Sequence, residues 1–463
     1  MSVKQTLYYA MPVRAQNALV SAYGYYLKRK RQGHGLDEVI SLIARARTWT
    51  HEEVVRHQSR ELALVLRQCA TAIPYYRNLW SREGLRFEAV RGPEDLPRLP
   101  ILAKKTVRLD GNQLVRQGAR PYWTQHTSGS TGTPVMVHVN KRTYQLVHAL
   151  LEEHEERCGV RSGDLRATFA GRMVQPPEDL SPPFWRYNRA QRQLLFSAYH
   201  LSEQTLPYYI EELARRKPAE LIGYPSAIAA VATHINASGG RGPIAPRVVI
   251  TNSETLFAWQ REAIEGAFGC PVRDYYGSAE ALVFAPQCSA GAYHFDPLLG
   301  IAEIVDTEGR PVPPGESGRI VCTTLTNNVM PLVRYDIGDV AVKLPGTCPC
   351  GSIMGGAREI IGRQDDIITT PDGRVVGRLD HIFKGVTGIE ECQIIQEALD
   401  LIRITMVVDG TFDPRQEHVL RENARGRLGT AVRVEFSRLQ RIPRTPAGKF
   451  RGVVSRLGAQ DQR

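Results

Sequence analysis

Between about residue 120 and residue 340, short apolar runs alternate with longer segments whose apolar positions recur every three or four residues. The runs Arg247-Val248-Val249-Ile250, Glu303-Ile304-Val305 and Gly318-Arg319-Ile320-Val321-Cys322 read as strands, and residues 205–216 and 258–267 as helices. Such alternation predicts an α/β protein in which sheets and helices are layered. Upstream, Val54, Val55, Leu62, Val65 and Leu66 give residues 51–70 a helical period, and the prolines of residues 93–100 punctuate a turn. After Gly362-Arg363 the pattern restarts as a smaller α+β unit of about 100 residues, an ordinary domain size. We therefore expect a large N-terminal domain over residues 1–362, with 1–50 a helical extension, and a small C-terminal domain over residues 363–463. No internal repeat or low-complexity segment interrupts this plan.

Composition narrows the class. With 463 residues, 42% hydrophobic and 23% charged, the chain reads as a soluble globular protein able to bury a sizeable core. The net charge of +11 favours anionic partners, or else reflects an arginine-rich solvated surface. Basic residues are spread along the chain apart from Lys28-Arg29-Lys30-Arg31, and no aromatic–basic module indicates nucleic acid. No signal peptide is visible and no run approaches the roughly 18 apolar residues of a membrane span. The 8 cysteines are irregularly spaced, which argues against a disulfide scaffold. A cytoplasmic location follows as the expectation. Within residues 1–31 the stretch Ala22-Tyr23-Gly24-Tyr25-Tyr26 and the basic run leave two placements open. One is an amphipathic helix in peripheral contact with a membrane, the other a helix packed on the protein body.

The most informative stretch is His126-Thr127-Ser128-Gly129-Ser130-Thr131-Gly132-Thr133-Pro134. Glycines let backbone N–H groups approach an anion closely, and the hydroxyls add donors, so the loop suits phosphate. No Gly-Lys-Ser/Thr follows, so it is not the common P-loop. Trp123 and Val135-Met136-Val137 flank it, a poor context for a flexible linker.

This stretch resembles the phosphate loop of the adenylate-forming superfamily, which includes acyl-CoA synthetases, luciferases and peptide-synthetase adenylation domains. Four further blocks follow in that superfamily's order. Asp274-Tyr275-Tyr276-Gly277-Ser278-Ala279-Glu280 resembles the adenine- and Mg²⁺-binding block, and Arg334-Tyr335-Asp336-Ile337-Gly338-Asp339 the ribose-binding block. Gly362-Arg363-Gln364-Asp365-Asp366 resembles the hinge, and Arg444-Thr445-Pro446-Ala447-Gly448-Lys449-Phe450-Arg451 the C-terminal lysine block. Within the superfamily the chain is similar to the phenylacetate–CoA ligase family, through Ile73-Pro74-Tyr75-Tyr76-Arg77 and Leu99-Pro100-Ile101-Leu102-Ala103-Lys104. Phe196-Ser197-Ala198-Tyr199-His200 and Ile222-Gly223-Tyr224-Pro225-Ser226 resemble a subgroup associated with capsular or exopolysaccharide biosynthesis.

The resemblance implies an ATP-dependent, AMP-forming acid–thiol ligase. A small-molecule carboxylic acid attacks the α-phosphate, pyrophosphate leaves, and the acyl group passes to an acceptor. Negative charge builds on phosphate oxygens, so catalysis is mainly positioning and charge stabilisation. By the same resemblance Thr127, Ser128, Gly129, Ser130, Thr131, Gly132 and Thr133 hold the β- and γ-phosphates of ATP. Asn252, Ser253 and Glu254 line the adenine pocket, Tyr276 stacks on adenine beside Tyr275 and Gly277, and Ser278 lies at the α-phosphate. Glu280 holds Mg²⁺, a hard cation suited to oxygen. Asp339 accepts from the ribose hydroxyls, and Arg363 contacts the ribose or phosphate side of the adenylate. Lys449 offsets the two anions that adenylation brings together, and Asp365 is the hinge of the turning lid.

Cys288, His294, Cys348 and Cys350 offer three thiolates and one imidazole, which suits a closed tetrahedral structural Zn²⁺ site; buried free cysteines are the alternative. Residues 367–376 and 378–393 depart from the phenylacetate-type pattern where the CoA tunnel is lined, and Asp372-Gly373 there reads as a hairpin turn. The acceptor is thus open between CoA, a carrier-protein thiol, an amine and a sugar amine. The segment Phe169-Ala170-Gly171-Arg172-Met173 also departs from aromatic-acid enzymes, and Arg172 is either a partner for a second acidic group on the substrate or a surface arginine. A different class, a non-catalytic scaffold in polysaccharide assembly, is disfavoured by the intact Glu280, Asp339 and Lys449. The acid's identity and the oligomeric state, a homodimer included, stay open.

Overall fold

The computed structural model describes residues 3–126, 135–172, 174–176, 179–240, 244–363, 368–371, 375–376, 379–383, 386–444 and 450–457. The helical extension is present as Val3–Tyr9, Val13–Arg31 and Leu36–Ala46. The second of these packs on the body: Gln16, Gly24 and Leu27 are buried, and a Cβ at Gly24 would meet the Asn188 amide at under 3 Å. Tyr23, Tyr25 and Tyr26 remain on its exposed side. The predicted helix over 51–70 runs His51–Ala72 and starts with a reciprocal cap. Thr50 Oγ1 accepts from the Glu53 backbone N–H at 3.3 Å, and the Thr50 N–H donates to Glu53 Oε2 at 2.7 Å.

The predicted layering is realised around a seven-stranded sheet. Its order is Trp185–Asn188, Gln193–Ser197, Arg166–Ala170, Glu220–Gly223, Val248–Asn252, Val272–Gly277 and Phe284–Pro286. The inner five strands are parallel and the two edge strands antiparallel. Helices Leu206–Arg216, Pro225–Ala237 and Ala258–Phe268 make the crossovers; the first and third match the segments 205–216 and 258–267 read from the sequence, and the second is one that reading did not name. Inner strands are covered on both faces, which explains why 248–251 is buried at every position. Because these strands run in parallel, their carboxyl ends share one edge of the sheet, where open α/β folds bind ligands.

A second, antiparallel sheet of five strands runs in the order Tyr293–His294, Gly356–Arg363, Tyr335–Lys343, Ser317–Thr324 and Gly300–Val305. A further core lies between residues 368 and 453. There Arg433–Arg438, Leu401–Val408, Ile389–Ala398 and Val453–Ser455 form a four-stranded sheet with helix Gln416–Leu428, around Ile394, Ile402, Ile404, Met406 and Leu420. Ile368–Thr369 pairs antiparallel with Val375–Val376, as a hairpin about Asp372-Gly373 requires, although those two residues lie outside the described ones. Among the described residues no helix is long and apolar enough to cross a membrane.

The core under the seven-stranded sheet is aromatic. Phe169 stacks on Phe196 with ring centroids 4.9 Å apart and 5° between planes, and Tyr209 stacks beside both. Phe169 has no exposed surface. Truncating Phe169→Ala should remove about 3–5 kcal/mol of stability, measurable as an earlier midpoint in urea denaturation. An unchanged midpoint would mean that this stack does not hold the sheet.

Candidate functional site

A cavity of about 490 Å³ opens where the carboxyl edge of the parallel sheet meets the five-stranded sheet. Three loops build it. Residues 252–257 continue the strand Val248–Asn252, residues 277–281 continue the strand Val272–Gly277, and Ile337 and Asp339 come from the strand Tyr335–Lys343. Backbone strain concentrates here: Ser253 has φ +69° and Ala281 φ +57°, a region that costs non-glycine residues free energy and recurs at binding sites.

Two tyrosine–carboxylate bonds tie the sheets together across the cavity. The Tyr276 hydroxyl donates to Asp339 Oδ2 at 2.6 Å, and the Tyr335 hydroxyl donates to Glu280 Oε1 at 2.9 Å. Burial, reinforced by the neighbouring Asp339 charge, pushes the Tyr276 hydroxyl well above its usual range, so it stays a donor. Glu280 is buried, and Lys104 Nζ approaches its Oε1 at 3.7 Å while donating to the Ile337 carbonyl at 3.3 Å. Arg334, in the same sequence block as Asp339, points the other way. Its guanidinium is buried against Glu303 and the carbonyls of Leu99 and Gly309, so it braces the strand rather than facing the cavity.

Ser253 and Glu254 line the cavity as the sequence suggested, and so do Tyr275, Tyr276, Gly277 and Ser278. Tyr275 differs from Tyr276 in turning most of its ring into the core, 5.3 Å from the Phe284 ring. Glu254 Oε2 accepts from the Ser226 N–H at 3.2 Å, and Oε1 accepts from the Phe450 N–H at 2.7 Å. Burial raises the Glu254 carboxyl and these bonds partly oppose the rise. Phe450 belongs to the C-terminal lysine block, so that block's backbone is moored in the cavity wall. A Cβ at Gly452 would meet the Phe257 ring at 2.6 Å, a second close approach of tail to cavity. The backbone of Arg363 stands opposite Asp339 in the five-stranded sheet. Lys449, Asp365 and the loop Thr127–Thr133 lie outside the described residues. The sequence reading missed Lys104 and Tyr335 as groups that touch Glu280. Both sit within recognised blocks, but only the packing of residues 99–104 on the strand Tyr335–Lys343 brings Lys104 there.

A second cluster lies on the far side of the five-stranded sheet's edge. The ligand atoms of Cys288, His294, Cys348 and Cys350 all fall within 4.8 Å of one another. Cys288 Sγ and Cys348 Sγ are 3.7 Å apart, too far for a disulfide and near the edge of about 3.8 Å expected for two thiolates on a tetrahedral Zn²⁺ with Zn–S of about 2.3 Å. His294 Nδ1 faces the Met354 carbonyl at 3.1 Å, which leaves Nε2 directed at the cluster, 3.2 Å from Cys350 Sγ.

Comparison with known proteins agrees with this architecture. Residues 368–456 match the CapK C-terminal domain family. Over 459 residues the chain is 25% identical to Protein CapK of Staphylococcus aureus, spanning 97% of this chain and 99% of that one. It is 23% identical over 339 residues to the phenylacetate-coenzyme A ligase of Thermus thermophilus, 69% of this chain and 73% of the relative. The fold superposes on 2-hydroxyisobutyryl-CoA ligase in its postadenylation state with R3-HIB-AMP at a TM-score of 0.70, with 19% identity over 88% of this chain and 91% of that one. Against that ligase with 2-HIB-AMP and CoA the TM-score is 0.54, with 20% identity over the same shares. The fold is that of the adenylate-forming CoA ligases. By sequence the chain is similar to CapK along nearly its full length and to phenylacetate-coenzyme A ligases over about two thirds of it, and its residues 368–456 match the CapK C-terminal domain.

Asp274 lies under the cavity floor. It accepts from the Thr251 hydroxyl at 2.7 Å and the Tyr293 hydroxyl at 2.7 Å, yet burial pushes its carboxyl up to about 6. The folded chain therefore holds a proton here that the unfolded chain releases near pH 4, and stability falls as pH rises from about 4 through about 6. Asp274→Asn should gain on the wild type by on the order of 2–3 kcal/mol between pH 4 and pH 8, read from denaturation midpoints at both pH values. A difference that does not change with pH would show that Asp274 ionises without cost.

Proposed function

We propose that the chain is an ATP-dependent carboxylate-activating ligase that forms an acyl-adenylate with release of pyrophosphate and then transfers the acyl group to a thiol, CoA being the first candidate. The observation that carries this reading is the single cavity shared by Glu280, Tyr276, Asp339 and the Phe450 end of the C-terminal lysine block. Asp339, bonded to Tyr276, stands where it would accept from the ribose hydroxyls, and the Tyr276 ring borders the space for adenine. Glu280 offers the hard oxygen that Mg²⁺ prefers, in a pocket where Lys104 already balances its charge. The bound metal would neutralise phosphate charge. Arg363 would reach the adenylate from the strand opposite Asp339. Lys449, next to Phe450, is one residue from a backbone N–H anchored in the cavity wall, which supports its place beside the reacting carboxylate. Its positive charge lowers the repulsion between carboxylate and α-phosphate.

The same reading makes residues 363–463 the mobile lid, turning about Asp365, and residues 1–362 the body. An amine or sugar amine as acceptor, in polysaccharide assembly, is supported by the kinship with CapK and by the altered sequence around residues 367–393. The Cys288–His294–Cys348–Cys350 cluster is proposed as a structural Zn²⁺ site, since four protein ligands leave no position open for chemistry.

Given ATP, Mg²⁺ and a panel of acids, the protein should exchange labelled pyrophosphate into ATP, and Lys449→Ala should slow that exchange by roughly two to four orders of magnitude without loss of folding. Absence of exchange with every acid in a broad panel would favour the scaffold reading. Elemental analysis should find about one zinc per chain, lost in the double variant Cys348→Ser, Cys350→Ser. A natively folded, zinc-free protein purified without chelators would remove the zinc site.

A further inference from the structure

The helix Val13–Arg31 holds the body through polar side chains as much as apolar ones. Gln16 is buried beside Gly24 and Leu27. Its Nε2 donates to the carbonyls of Tyr8 at 3.1 Å and Met11 at 2.9 Å, and its Oε1 accepts from the Arg186 guanidinium. The Asn17 side-chain oxygen accepts from the Tyr187 N–H at 2.9 Å, and the Ser21 hydroxyl oxygen accepts from the Arg189 N–H at 3.0 Å. These bonds and the seating of Gly24 on Asn188 fix the helix along the edge strand Trp185–Asn188.

The opposite face is apolar and open. Leu19, Tyr23 and Tyr26 follow one another at helical spacing, and Ala18, Ala22 and Tyr25 form the row beside them. Leu19 is 48% exposed, Tyr23 51%, Tyr25 56% and Tyr26 47%. The Tyr23 and Tyr26 rings stack with centroids 6.1 Å apart, so the row is continuous. Apolar side chains exposed singly are ordinary on a protein surface, but a continuous ridge of them marks a contact site.

Charge indicates what covers it. No Asp or Glu occurs before Asp37, whereas the helix carries Arg14, Lys28, Arg29, Lys30 and Arg31. Lys30 and Arg31 turn back on the body: Lys30 Nζ lies 4.1 Å from the Tyr122 ring centroid, and Arg31 bonds Tyr144. Arg14, Lys28 and Arg29 are exposed, and the Arg29 guanidinium stays by the aromatic row, 5.9 Å from the Tyr25 ring centroid. The turn after the strand Trp185–Asn188, packed beside the helix, adds exposed Arg189 and Arg192. Tyrosines flanked by cations match the interface of an anionic bilayer, where rings sit at headgroup level and cations meet phosphates. A second copy of the chain would set cations against cations. The helix is not apolar enough to cross a bilayer, so the contact is with its surface.

We propose that the outer face of the helix Val13–Arg31 is a docking surface for an anionic lipid bilayer. Leu19, Tyr23 and Tyr26 seat at headgroup level, and Lys28 and Arg29 meet lipid phosphates. None of these residues lines the cavity, so the inference stands apart from the adenylation reading.

The test sediments the full chain with vesicles of phosphatidylcholine alone and of phosphatidylcholine and phosphatidylglycerol in equal parts. Binding to the anionic vesicles should exceed binding to the neutral ones by roughly 10-fold or more, and should fall as salt rises from about 50 to about 300 mM. The double variants Tyr23→Ser with Tyr26→Ser, and Lys28→Glu with Arg29→Glu, should each lower it by roughly 10-fold or more while the thermal midpoint stays in place. In Tyr23→Trp, anionic vesicles with brominated acyl chains should quench emission beyond the quenching of the wild type. That readout uses a folded chain and does not depend on the double variants. Equal binding to both vesicle types, or no added quenching in Tyr23→Trp, would overturn the proposal. Anionic-vesicle binding that both double variants keep would also overturn it, by moving the contact to another basic surface. Self-association without vesicle binding, abolished by the tyrosine variant, would give the face to a second copy instead.

Discussion

The site depends on a reciprocal pair of tyrosine–carboxylate bonds between two sheets. Tyr276, from the parallel sheet, donates to Asp339 of the antiparallel one, and Tyr335, from the antiparallel sheet, donates to Glu280 in the loop beyond the parallel one. Each bond spans more than fifty positions of sequence, so neither sheet alone holds its carboxylate in place. A charged acceptor makes such bonds stronger than neutral ones. With the hydroxyls held as donors by burial, both carboxylates stay oriented towards the cavity. Removing either bond would leave a partly desolvated carboxylate aimed at random, and the cavity would lose its shape.

Around that frame the chain distributes its rigid and adjustable parts differently. The antiparallel sheet is extended at its outer edge by the strand that carries His294, and the Cys348–Cys350 turn folds back over it. A metal there would fasten an edge strand, which otherwise contributes only two paired residues. The C-terminal tail is attached more lightly. The Glu254 contact to the Phe450 N–H and the seating of Gly452 on Phe257 are local contacts that a domain rotation can break and remake.

Charge is arranged with similar economy. The chain's excess of +11 is mostly dispersed, and many arginines are matched, as Arg334 is by Glu303 and Arg166 by Glu155.

Much of the architecture was legible in the residue pattern. The alternation of buried β runs with amphipathic helices gave the parallel sheet and its crossovers, since burial on both faces demands near-continuous apolar strands. The blocks ending in Glu280 and Asp339 were legible through their resemblance to the nucleotide-binding blocks of the superfamily, and both contribute residues to the cavity wall. The N-terminal helix was visible, but its placement was not. Its packing on the body turned on the fit of Gly24 against Asn188, a contact between residues far apart in sequence. Lys104 and Tyr335 as partners of Glu280, and Arg334 as a brace, were likewise decided only by tertiary packing. Sequence fixes which chemical groups are carried and which face of each element is apolar. Which charges meet is a long-range property, set when separate elements close on one core.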